Sequence, residues 1–347
     1  MSEAEFSKKE VAAAVGAITA TYVYFLLYAE FALLGLAQPT VAAGGSLRAV
    51  MGVLGAGGVA GSIAAARWFR PERFKRALLG GFLATALAAG LALGAAAGGF
   101  FIFVAGLVGL SLGWLTVTLA SGLRSALGVK RLGLLCGLGT GLAYALCNEP
   151  AVFATTSAGQ TWIAMGAVII GAVLTQWTAV RPVRMETAGD YARGPATAWV
   201  IVLLALVWLD SAAFYIIQHT PDFKAATWAG AWTLGGNAAM HLVAAIGAGW
   251  VLDRGRAAGV LAVAGGFLVV ACLLLRAGAP SAWVPVFYTA VCRSTRRRSF
   301  IIRRAGRGRT WPRSVSRWRG GSDRRWASAW RRIFRASQFG FWGSRRG

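Results

Sequence analysis

Five polar side chains stand out because they fall inside apolar surroundings where polarity is expensive: Glu30, Glu149, Asp210, Asn237 and His241. A charge at the centre of a membrane helix costs about 2.5–3.5 kcal/mol on insertion scales, so such a residue faces a cavity or a partner. Glu30 lies in Tyr-Ala-Glu-Phe, one turn beyond Leu26 and Leu27. It reads either as a proton-exchanging carboxylate raised by desolvation or as an acid hydrated near the outer interface. Glu149 precedes Pro150, which removes a helix hydrogen bond and frees a carbonyl one turn back. That pair marks either a broken helix lining a cavity or the plain end of a helix at the headgroups. Asp210 is placed best for chemistry, about mid-span in Trp-Leu-Asp-Ser-Ala-Ala-Phe-Tyr. Asn237 and His241 are four apart and share a helix face. A histidine beside a carboxylate from a neighbouring helix can relay a proton; alone it is a contact between helices.

The elements that must position these groups are helices in a bilayer. The 347 residues are 57% hydrophobic and 14% charged, whereas soluble domains sit near 45–50% and about 25%. Apolar runs long enough to cross a bilayer, which takes about 20 helical residues, recur through the first 290 positions. Leu, Ala and Gly dominate them without strand-like alternation, which selects helices over a barrel. Nine full spans are expected, at 11–37, 47–66, 77–96, 99–122, 132–153, 159–178, 197–218, 229–252 and 257–275, with a partial tenth from Pro280. The first is too long, and lacks the end, expected of a cleaved signal. A long connection at 179–196 divides a six-helix bundle (1–178) from an incomplete second bundle (197–292). Glycines repeat every fourth residue at Gly133, Gly137 and Gly141, and at Gly57 and Gly61, a spacing that lets helix backbones approach closely.

Basic residues gather on cytoplasmic loops. With the N-terminus inside, fifteen fall on one side, among them Lys8, Lys9, Arg67, Arg131, Arg181 and Arg254; Arg48, Lys224 and Arg276 face the other. The expected location is the inner (plasma) membrane, with the bilayer as partner. Cys136, Cys147, Cys272 and Cys292 form no CxxC pair and no metal spacing, so no metal and no cofactor is expected. No phosphate loop, HExxH or hydrolase signature suggests an enzyme.

The tail at 293–347 differs in character. It carries eighteen arginines, no lysine and a single acid, Asp323, so +17 of the net +24 lies there. An Arg-Trp-Gly-Ser composition starting inside an unfinished apolar span is what a GC-rich gene yields out of frame. The natural protein is therefore expected to diverge near Val291, with the tail disordered or frameshift-derived. Nucleic acid is not expected as a partner despite the tail's charge.

The loop after the eighth span reads Gly249-Trp-Val-Leu-Asp253-Arg254-Gly255-Arg256. This resembles the loop signature of the major facilitator superfamily, one residue short between Arg254 and Gly255. The equivalent loop after span two keeps the basic residues but has Ala65 and Ala66 where the acid would fall. The resemblance implies a two-bundle fold, alternating access and a site at mid-membrane lined by spans one and seven, where Glu30 and Asp210 lie. It also implies that Asp253 pairs with basic groups across the bundle interface in one conformation. Proton-linked transport of a small solute is the expected function; a non-transporting assembly or scaffold protein on the same framework is the alternative. Truncation would leave this chain inactive.

Overall fold

The computed structural model describes residues 6–95, 99–128, 130–181, 217, 220–228 and 230–276. Those residues are helical apart from short turns, and no strand occurs among them. The expected seventh span with Asp210, the partial tenth, the central loop beyond Arg181 and the tail all lie outside the described residues.

Helix α1 runs over Lys8–Ala42 and is the most enclosed of the long helices. It starts on a capping box: the Ser7 hydroxyl accepts from the Glu10 amide, and the Glu10 carboxylate accepts from the Ser7 amide at 2.8 Å. Its middle, Tyr24–Ala32, is π-helical, a wider winding that functional sites favour. Buried Tyr24 and Tyr28 leave this segment with rings 4.9 Å apart, and the Tyr24 hydroxyl donates to the Thr85 carbonyl at 2.9 Å. The remaining helices are α2 (Leu47–Trp68), α3 (Phe74–Gly94), α4 (Gly99–Leu127), α5 (Leu132–Cys147), the one-turn α6 (Pro150–Phe153), α7 (Ser157–Leu174), α8 (Pro221–Trp228), α9 (Ala231–Asp253) and α10 (Ala257–Arg276).

Six of the helical stretches are long and apolar enough to cross a membrane: Lys8–Ala42, Leu47–Trp68, Pro71–Gly94, Gly99–Leu127, Ser157–Trp177 and Ala231–Asp253. Leu132–Cys147 and the Ala262–Ala271 part of α10 are apolar but shorter. The fifth expected span is thus broken. It ends at Cys147, and Pro150 restarts the chain as the first residue of α6, the position where its missing N–H costs nothing.

The core of the first helices is aliphatic and aromatic, with Phe74, Phe82, Phe101, Leu78 and Leu115 in one buried cluster with Tyr24, Tyr28 and Leu33 of α1. Glycine sets the tightest crossing. A Cβ on Gly57 or Gly61 would strike the carbonyls of Gly106 or Leu110, and one on Gly109 or Gly113 those of Leu54 or Gly58. Helices α2 and α4 therefore meet backbone to backbone. Large apolar side chains such as Leu87, Ile170 and Trp162 point outward, an arrangement that water disfavours and lipid accepts.

Candidate functional site

Of the sequence-predicted residues, Asp253 and His241 meet α5 across its seam with α9. Gly139 lets α1 approach one side of α5, with Ile18 packed where its Cβ would be. The Thr19 hydroxyl donates to the Gly139 carbonyl at 2.9 Å. Gly133 and Gly141 open the other side to α9: a Cβ on Gly133 would lie 2.5 Å from the Gly249 carbonyl, and one on Gly141 would lie 2.6 Å from Leu242. Two helices of the expected first and second bundles thus share one seam.

At the C-terminal end of α9, where the seam ends, sits Asp253. Its carboxylate accepts from the backbone N–H of Gly133 at 2.7 Å and of Leu134 at 2.8 Å. These are the second and third residues of α5, whose N–H groups have no partner within the helix and normally go to the residue at the N-cap. Here that residue is Arg131, which supplies no side-chain cap. An acid 120 positions away in sequence does the capping instead, and its charge complements the positive end of the helix. Backbone amides are thus among the partners of Asp253. Arg254 folds back over the Trp250 ring, 3.3 Å from its centre, and donates to the Trp250 carbonyl. Arg254 and Arg256 are exposed. Gly255 turns the chain with φ +76°, a conformation that costs glycine nothing. Gly249, buried, supplies the carbonyl against Gly133.

Farther along the seam the polar residues of α9 are buried. His241 is 6% exposed and lies against the Tyr144 ring, centroids 4.5 Å apart. Asn237 is also enclosed and donates to the Thr227 carbonyl of α8 at 2.6 Å. Next to it Phe31 of α1, Phe153 of α6 and Trp228 of α8 form a cluster with centroids 5.6–6.5 Å apart. Glu30, beside Phe31, is half-buried in the π-helical segment. Glu149 is exposed, as the residue before α6; it lies at the helix break and outside the enclosed group. Asp210 lies outside the described residues, so its distance to His241 is not part of this geometry.

Sequence reasoning missed Gly139, which falls between members of the every-fourth-residue repeat, along with Tyr144, Thr227 and the three aromatics. Gly139 had a faint signal, being a fourth glycine in a nine-residue stretch. The others had none, because ring contacts between distant segments leave no spacing to read.

Among the described residues no group of His, Cys, Asp or Glu could hold a metal ion. No protein-family model matches the chain, and no curated protein matches it in sequence. Its reading rests on its own residues.

Proposed function

We propose that the chain is a multi-pass secondary transporter of a small solute, coupled to protons and working by alternating access, in the inner membrane with its N-terminus in the cytoplasm. The observation that carries this reading is the α5–α9 seam, where His241 and Asn237 are buried and His241 lies against the half-buried Tyr144 ring. At its end is a contact made of one carboxylate and two amides. Burying polar groups in a membrane helix is costly without a role. On the major facilitator resemblance, such a seam divides two bundles that rock about a central solute site. Asp210 is the first coupling carboxylate and Glu30, in the winding defect of α1, the second. His241 and Asn237 are solute- or proton-contacting groups. The Gly249–Arg256 loop governs access from the cytoplasm.

Reconstitution in proteoliposomes tests it. With a pH-sensitive dye inside, a panel of small solutes is added and solute-dependent proton movement recorded. A solute that moves protons is then followed in Asp210→Asn, which keeps size and removes titration. Uphill uptake is expected to vanish while counterflow persists. Undiminished uphill uptake removes Asp210 from the mechanism; proton movement with no member of a broad panel counts against transport itself.

A further inference from the structure

We infer that the inner end of the α3–α7 pair is a binding site for the headgroup of an anionic glycerophospholipid of the inner leaflet, held by Lys9, Lys75, Arg76 and Trp177. Three elements bring these residues together. Lys75 and Arg76 stand in the first turn of α3. Trp177 closes the 3-10 turn that follows α7, and Lys9 belongs to the first turn of α1. Two contacts fix the arrangement: the Lys75 ammonium donates to the Gln176 carbonyl at 3.0 Å, and the Lys9 ammonium lies 4.8 Å from the centre of the Trp177 ring. Both ammonium groups keep further N–H donors for an anion, since each has three.

Among the described residues, basic groups outnumber acids at this place. Lys8, Arg73 and Arg76, within two positions of Lys9 or Lys75 along the chain, are exposed. Of the nearby described acids, Glu10 is shared between Ser7, Arg181 at 3.1 Å and the field of Lys75, so it offsets only part of the charge. Glu72 is exposed and offsets one charge only. Arg181 is itself tied down, stacked on the Phe6 ring at 4.2 Å. A local excess of basic groups at the end of membrane helices attracts anionic lipid, at about 1 kcal/mol per residue.

The apolar part of a lipid is accommodated as well. Helices α3 and α7 pack together where Gly171 accepts the Phe82 ring. Their exposed sides carry Leu83 and Leu87 on α3, and Ile170 and Val173 on α7. On α3 these lie two and three turns beyond Arg76, so one stripe runs from charge into hydrocarbon. Trp177, 43% exposed, stands at the junction, the depth at which an indole settles in a bilayer. A soluble anion would use the cations but would have no use for the indole or the stripe, which is why a lipid is the occupant favoured.

Native mass spectrometry of the detergent-solubilised full chain tests this, with phosphatidylglycerol titrated against phosphatidylcholine. The wild type is expected to retain one phosphatidylglycerol preferentially. Lys75→Gln with Arg76→Gln should weaken that retention by about thirtyfold, two contacts being removed. Trp177→Phe, which leaves every charge in place, should also weaken it. Arg131→Gln with Arg256→Gln removes the same charge from exposed positions elsewhere on the inner face and should leave retention unchanged. Equal losses in both double variants would mean a diffuse field and overturn the site. So would equal displacement by millimolar inorganic phosphate, the mark of a soluble-anion site. Circular dichroism and size-exclusion profiles like the wild type's exclude misfolding as the cause; should the double variant misfold, Lys75→Gln alone and Trp177→Phe carry the same comparison.

Discussion

Asp253→Asn is the sharpest perturbation of the α5–α9 seam, because it changes charge and donor pattern while keeping shape. The carboxylate now accepts two amide hydrogens, from Gly133 at 2.7 Å and Leu134 at 2.8 Å. Hydrogen bonds to a charged group contribute about 1.5–3 kcal/mol each, and Asp253 is partly exposed, so the lower end applies. The amide keeps one neutral bond worth about 1 kcal/mol and turns its NH₂ toward the other N–H, leaving a net loss of about 2 kcal/mol. That corresponds to about thirtyfold in the equilibrium between capped and uncapped seam. Neither amide has an acceptor inside α5, so their protection from hydrogen exchange depends on Asp253. Exchange measured by mass spectrometry on a fragment over 131–138 should therefore accelerate about thirtyfold at Gly133 and Leu134. Amides in the middle of α4 should not change. Exchange within twofold of the wild type at these two positions would refute the capping argument.

Gly109→Ala should lower thermal stability, with about 1–3 kcal/mol lost, because its methyl would strike the Leu54 carbonyl in the α2–α4 crossing; a thermal melt in detergent reads it, and an unchanged midpoint would mean that the helices slide apart freely. Topology can be read with an impermeant maleimide on intact cells. Lys224→Cys, exposed before α9, should label from outside. Arg256→Cys, exposed after it, should label only once the membrane is opened; the reverse pattern would invert the orientation.

Most of the helical framework was legible because it depends on local quantities. The bounds expected at 47–66 and 257–275 differ from α2 and α10 by two residues or fewer at either end. Apolar length and helix-favouring composition decide a span wherever it sits in the chain. Glycine spacing likewise foretold close packing at Gly57 and Gly61. The break at Pro150 was visible as a chemical event, but not whether Glu149 would end up lining a cavity or exposed at the helix start; the fold places it exposed.

What the sequence by itself determined, then, is a chain of apolar helices with a few polar residues set into them, together with the loop residues Gly249 to Arg256. Only the tertiary structure decided whom those residues meet. Nothing local relates Asp253 to Gly133, 120 positions apart, because a carboxylate that caps another helix bonds backbone amides, and every residue but proline carries one. The π-helical turn around Glu30 was hidden for a related reason. Its winding differs from an α-helix by a fraction of a residue per turn, too little for the apolar spacing of Tyr24–Ala32 to reveal. The partner of His241 was equally hidden: Tyr144 reaches it because glycines in α5 let α9 come close, and the identity of a ring across a seam leaves no periodic trace in either helix.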